Sequence, residues 1–334
     1  MIRLEFYGIQ IDVSGPEEII EKLRKDFSYF YIDQARIVEF SVVLAREQPD
    51  YSLVENKPAV LRHREFTMYD GGNKKYIDYK GKGLSEYDRT NSRIKMVSLD
   101  NDLLHEIGYL AVLSVAGEML EQKSLYRVHG LGLNYNGRGV IITAPTGSGK
   151  TTFLMELIGN KNMFFFSDDI VLMDKNLKMM PFPVRIGLKE EERERFDNIP
   201  DKYVYELHRR KYGKKVLLDV RWFREKIAEP VIPDMLIIGK RWAFNYAKIK
   251  KINKMRMFAA LFGNLVVGIG LPQVIEYLDL EVSFSNMVKL AKKAFCRMRI
   301  ALRLLMKSRA YIMYIGMNSA NNVQLLIQFL GNKK

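Results

Sequence analysis

Gly139-Val-Ile-Ile-Thr-Ala-Pro-Thr-Gly-Ser-Gly-Lys-Thr-Thr-Phe-Leu-Met-Glu-Leu-Ile158 decides how this chain is read. Val140 to Thr143 is a short β-branched run of the kind that forms a buried strand, Ala144 to Gly149 is a loop of small residues, and Thr151 onward takes helical spacing. A strand, an anion loop and a helix therefore follow one another without interruption. The loop fits the P-loop pattern with Ala144 in place of the first glycine, and Gly147 and Gly149 still let the backbone close around an anion. Backbone N–H groups of Gly147 to Thr151 are expected to point at phosphate oxygens, with the positive end of the following helix adding to the attraction. The expected nucleotide-binding set is Ala144, Pro145, Thr146, Gly147, Ser148, Gly149, Lys150, Thr151 and Thr152. Lys150 would reach the β- and γ-phosphates of ATP, and the Thr151 hydroxyl would ligate Mg²⁺.

The next strand bears on what is done with the phosphate. Met163 to Met173 is apolar on both sides of Asp168-Asp169. Adjacent carboxylates in so hydrophobic a run are costly to bury unless a cation or a hydroxyl needs them. One could hold Mg²⁺, directly or through water, and the other could accept a proton from an attacking hydroxyl. The alternative is a surface turn between two strands. Upstream, Tyr126 to Gly139 reads as a hairpin turning at Asn136-Gly137, which would deliver His129 to the mouth of the P-loop strand. A lone histidine is more often structural than catalytic. Arg185, soon after the aspartate strand, is the candidate cation for steadying a transferred phosphoryl group, since arginine grips phosphate in a fork, with an ordinary surface arginine as the alternative.

His129-Gly130, the loop from Ala144 to Thr151 and Asp168-Asp169, in this order and compactness, resemble the HPr kinase/phosphorylase family and its relatives, whose core is similar to that of phosphoenolpyruvate carboxykinase. The resemblance spans roughly residues 124–185 and includes Pro181-Phe-Pro183. It implies that His129, Lys150 and the first aspartate, Asp168, form the active site, with Asp168 as proton acceptor and Asp169 supporting the metal or substrate. It implies an ATP- and Mg²⁺-dependent serine kinase acting on a protein or peptide hydroxyl. Some relatives resemble precursor-peptide kinases of ribosomal natural-product pathways, and family members often assemble into rings. This chain departs from the pattern in two ways: the loop opens with Ala-Pro-Thr and carries Thr at the metal position, and the family's later glutamate motif and glycine-rich contact loop have no clear match. Nucleotide binding survives both departures, whereas HPr itself is not implied as the acceptor. A regulatory ATPase that passes no phosphate to an acceptor, associated with membrane or nucleic acid, is the competing class.

With 334 residues and 48% hydrophobic composition, the chain can bury one large core or two modest ones. The fold class expected is α/β: residues 1–99 as a small α+β region, and residues 100–334 as a P-loop, HPr-kinase-like domain closed by C-terminal helices. One cysteine excludes a disulfide framework and a cysteine metal cluster, and the four histidines lack ligand spacing. Met1-Ile-Arg-Leu-Glu-Phe mixes charge with apolar residues and shows no secretory leader, so the cytoplasm is the expected address. A net charge of +14 suits nucleic acid, anionic lipid or an acidic protein, or reflects a lysine-rich background.

Along the chain, Arg3 to Val13 suggests two short strands or one bulged strand, Ser14-Gly-Pro16 opens a helix, and Asp70 to Asn73 turns a hairpin. Asp100 to Gln122 is helical, and solvated helix polarity explains its His105-Glu106 pair. Lys189 to Lys215 reads as a lid or target-docking insertion, or else a solvated helix pair. Val231 to Ile238 is a strand. Met257 to Leu271 is too short and too interrupted to span a bilayer. Met287 to Lys307 is a basic helix that either packs on the sheet or lies on anionic membrane or RNA. No strong nucleic-acid signal appears elsewhere.

Overall fold

The computed structural model describes residues 1–34, 37–145, 147–209, 213–272 and 284–332. It shows a mixed α/β protein with several sheets, divided into two units. The first contains Met1–Gln122 and Asn198–Val220, together with the short stretch from Pro272; the second contains Lys123–Asp197, Arg221–Leu271 and the chain from Val282 onward. The boundary expected after residue 99 therefore falls after Gln122, because the long helix joins the first unit.

In the first unit, nine strands form one sheet: β1 (Ile2–Glu5), β2 (Gln10–Ser14), β3 (Tyr31–Ile32), β4 (Phe40–Ala45), β5 (Ala59–Arg62), β6 (Thr67–Gly71), β7 (Lys74–Asp78), β8 (Gly83–Asp88) and β9 (Arg93–Ser98), in the order β3-β1-β2-β4-β9-β8-β7-β6-β5. In β4 buried residues alternate with half-buried ones, so one face of the strand seeks cover. Helix α1 (Glu17–Asp26) supplies Ile19, Ile20 and Leu23 to it. Helix α2 (Asn101–Gln122) packs on β4, β9 and α1, and Asp100 caps it by accepting from the N–H groups of Asp102 and Leu103. By length and composition α2 could cross a membrane, but the greater part of it is buried inside the protein. The strands Val204–Arg209 and Gly213–Leu218 pair as a hairpin.

The second unit begins with β10 (Tyr126–His129), β11 (Leu131–Tyr135) and β12 (Arg138–Thr143), then helix α3 (Lys150–Ile158), β13 (Met163–Ser167) and β14 (Ile170–Met173). It continues with β15 (Pro233–Arg241), β16 (Lys248–Lys251), α4 (Lys254–Leu261), α5 (Phe284–Lys307), β17 (Arg309–Ile315) and α6 (Ser319–Gly331). Six strands form the main sheet in the order β13-β11-β12-β15-β17-β16, with β12, β15 and β17 parallel. Parallel strands need both faces covered. Leu236 and Ala310 face Met257, Leu261 and Leu304 of α4 and α5, while Tyr311 meets Phe329 of α6 edge-on, with ring centroids 4.9 Å apart.

Several expectations change here. The hairpin turning at Asn136-Gly137 joins only β11 and β12, and the strand carrying His129 belongs to a different sheet, where it pairs with β14. Met163 to Met173 is two strands meeting at a bend, so Asp168-Asp169 sits between strands rather than within one. Two charges with nowhere to go inside a hydrophobic strand are relieved by turning the chain at that point. The charged segment from Lys189 is not the solvated helix pair offered as one alternative. Glu190–Phe196 is a 3-10 turn whose Glu192 accepts from the Thr152 hydroxyl and whose Arg195 pairs with Glu156, fastening it to α3. The rest is the hairpin of the first unit, with Arg210, Lys211 and Tyr212 outside the described residues.

Candidate phosphate-binding site

The site is assembled at the C-terminal ends of the parallel strands, where α/β sheets bind ligands. Ile141, Ile142 and Thr143 pair with Leu236, Ile237 and Ile238, so β12 and β15 end together. From β12 the chain enters the loop, and Gly149 adopts φ 88° immediately before α3. That left-handed step suits glycine, and a side chain there would also meet the Arg241 guanidinium. Helix α3 has no acidic residue in its first turn, leaving its positive end for an anion. Among the described residues the buried Ser148 hydroxyl meets no hydrogen-bond partner, which fits a group that bonds a ligand oxygen. Thr146 lies outside the described residues.

Lys150 is buried at the start of α3. Its Nζ donates to the Ala144 carbonyl at 2.9 Å, stands 3.4 Å from His129 Nε2 and lies 3.7 Å from Asp169 Oδ1. The Thr151 hydroxyl donates to Asp168 Oδ2 at 2.7 Å. His129 Nδ1 faces Asp169 Oδ1 at 3.5 Å, and the Gly130 N–H binds the Asp169 carbonyl at 3.0 Å. This registration follows from β10 pairing His129 with Ile170, the residue after the aspartates. Burial lowers the proton affinity of His129 below the ordinary histidine value, and the Lys150 charge adds to this, while Asp169 opposes both. The imidazole therefore favours its neutral form more than a free histidine does.

The two aspartates differ. Asp168 is partly buried against α3, whereas the Asp169 side chain is 52% exposed. Neither a family model nor a curated protein matches this chain.

The structure gathers His129, Lys150, Thr151, Asp168 and Asp169 of the expected site. Thr152 is turned to Glu192 instead of the loop, and Pro145 contributes its carbonyl to the Ser148 N–H at 3.1 Å. Arg185 is buried just before the strand Ile186–Lys189. Two residues were missed. Arg241, at the end of β15, donates from Nε to the Ser148 carbonyl at 2.9 Å, and the signal was available: a basic residue ending a strand next to the P-loop strand. Gly270, at φ 88°, lies against the His129 ring, where an added Cβ would come within 2.9 Å of Cε1. A π-helical turn, Phe262–Val267, leads into this approach, and such turns recur at functional sites.

For a divalent cation the fit is limited but coherent. Among the described residues no three His, Cys, Asp or Glu side chains converge, so the protein offers no complete cage. Thr151 and Asp168 supply two oxygens 2.7 Å apart, which suits Mg²⁺, an ion that keeps water and takes its other ligands from phosphate.

Proposed function

We propose that this protein is an ATP-dependent phosphotransferase of the HPr-kinase-like type, moving a γ-phosphoryl group to a hydroxyl. The observation that carries the reading is the convergence of Lys150, His129 and Asp169 within 3.4–3.7 Å of one another at the mouth of the loop. A P-loop alone would need only the lysine. The further pair, a neutral imidazole and an accessible carboxylate, supplies what hydroxyl attack on phosphorus requires.

Lys150 leaves the Ala144 carbonyl to neutralise phosphate charge, and the N–H groups at the start of α3 hold the β-phosphate. Thr151 and Asp168 would hold Mg²⁺, which would offset the charge developing on the phosphate oxygens. Asp169 receives the hydroxyl proton as the hydroxyl oxygen bonds the γ-phosphorus and ADP leaves, with the His129 ring beside that carboxylate. The sequence reading gave the proton to Asp168 and the metal to Asp169; the bond from Thr151 to Asp168 favours the reverse. A seryl hydroxyl of a protein or peptide remains the acceptor class, on the strength of the resemblance.

The test is incubation with γ-labelled ATP, Mg²⁺ and serine-containing peptides. Label on the peptide supports the kinase, label released only to water supports a regulatory ATPase, and an Lys150→Ala variant should lose either. Failure of the wild-type protein to bind ATP would remove both readings.

A further inference from the structure

Helix α5 carries more than packing requires. Its buried side, with Ile300, Ala301, Leu304 and Leu305, joins the core of the second unit, and Arg297 turns inward to donate to the Val266 carbonyl at 3.1 Å. Among the described residues nothing covers the opposite side. Val288, Lys292, Phe295, Arg299, Leu302 and Met306 recur at steps of four and three, which places them in one stripe along the helix, and all six are exposed. Phe295 is 69% and Met306 67% exposed. Solvated helix faces do not normally repeat large apolar residues in register.

The charge on this helix says what would cover the stripe. Its 24 residues include seven lysines and arginines and no acidic residue. A second copy of the same surface would bring like charges together. Nucleic acid would answer the charge but gain little from Val288, Leu302 and Met306, since it rewards stacking aromatics and cations. An anionic bilayer answers both: the apolar residues enter the acyl boundary, and Lys292 and Arg299 extend their stems to lipid phosphates. Met255 and Phe262, on and just after the helix packed against α5, are exposed as well.

We propose that the outer face of α5 is a docking surface for anionic membrane, with phospholipid headgroups as its ligands and the helix lying in the plane of the interface. This goes beyond the phosphotransferase reading and does not depend on it.

The full chain is tested by co-sedimentation with phosphatidylcholine vesicles and with vesicles that also contain phosphatidylglycerol. The wild-type protein is expected to partition onto the second and not the first. A Phe295→Ser/Leu302→Ser variant should bind about tenfold more weakly or worse, because both side chains lose their burial in the acyl region. A Lys292→Gln/Arg299→Gln variant should lose about fivefold per charge removed. Circular dichroism identical to wild type confirms that each variant is folded, as expected for exposed positions. Absence of wild-type binding to phosphatidylglycerol vesicles overturns the proposal, as does unchanged binding of the serine variant. Retention on single-stranded RNA without binding to vesicles assigns the surface to nucleic acid and overturns it too.

Discussion

Two histidines in this protein stand beside aspartates, and they do opposite things. In the first unit His105 Nε2 lies 2.7 Å from Asp26, both side chains have no solvent exposure, and the Tyr205 hydroxyl completes the carboxylate. In the second unit His129 is as deeply buried, but its Asp169 is half exposed and Lys150 stands on its other side. A carboxylate enclosed on all sides is committed to holding the fold together, whereas one that faces solvent can accept a proton and give it up. The same two residue types are thus closed into the core in one unit and left open to the proposed chemistry in the other, according to what surrounds the acid.

Four substitutions probe these two pairs. The largest effect is expected from Asp169→Asn, which should lower phosphotransfer by about 10²–10⁴-fold, the contribution of a positioned general base. Nucleotide affinity measured by titration should stay near wild type, and so should the denaturation midpoint. Asp26→Ala should reverse that pattern. It leaves His105 and Tyr205 buried without their shared acceptor and should cost about 3–5 kcal/mol in denaturant unfolding. If Asp26→Ala is harmless and Asp169→Asn unfolds the protein, the contrast is inverted and fails.

Gly270→Ala is a smaller perturbation. It forces a side chain into left-handed backbone and against the His129 ring, and should cost about 1–3 kcal/mol while shifting the His129 imidazole resonances in NMR. The smallest effect concerns pH. His129 binds its proton less readily in the folded chain than the ordinary value of 6.5, so below that value the unfolded chain takes up a proton that the folded one resists. Its contribution is intact above pH 6.5 and is lost as pH falls toward the folded value. A His129→Gln variant should therefore lose less stability than wild type between pH 7 and pH 5, by calorimetry at each pH.

Local patterns in the sequence were legible. The β-branched run, the small loop and the helix after Gly149 fall where the order Val140 to Ile158 puts them, because adjacent residues alone determine that change of period. Helix α2 with its Asp100 cap, the turn at Asn136-Gly137 and helix α5 were readable for the same reason. What escaped was long-range. Nothing near His129 says that its strand pairs with β14 rather than folding back on β11, and that pairing is what brings it to Asp169. Asp26 lies far from His105 in the chain, so the pair looked like the polar side of a helix. The approach of Gly270 to His129 and the bond from Arg241 to the loop are likewise set by packing between segments distant in sequence.

The most direct measurement is a crystal structure with a non-hydrolysable ATP analogue and Mn²⁺ in place of Mg²⁺. The metal should lie on Thr151 and Asp168, with the γ-phosphate beside Lys150 and within reach of the Asp169 carboxylate. A triphosphate bound away from the loop, or one whose terminal phosphorus faces neither aspartate, would contradict the assignment.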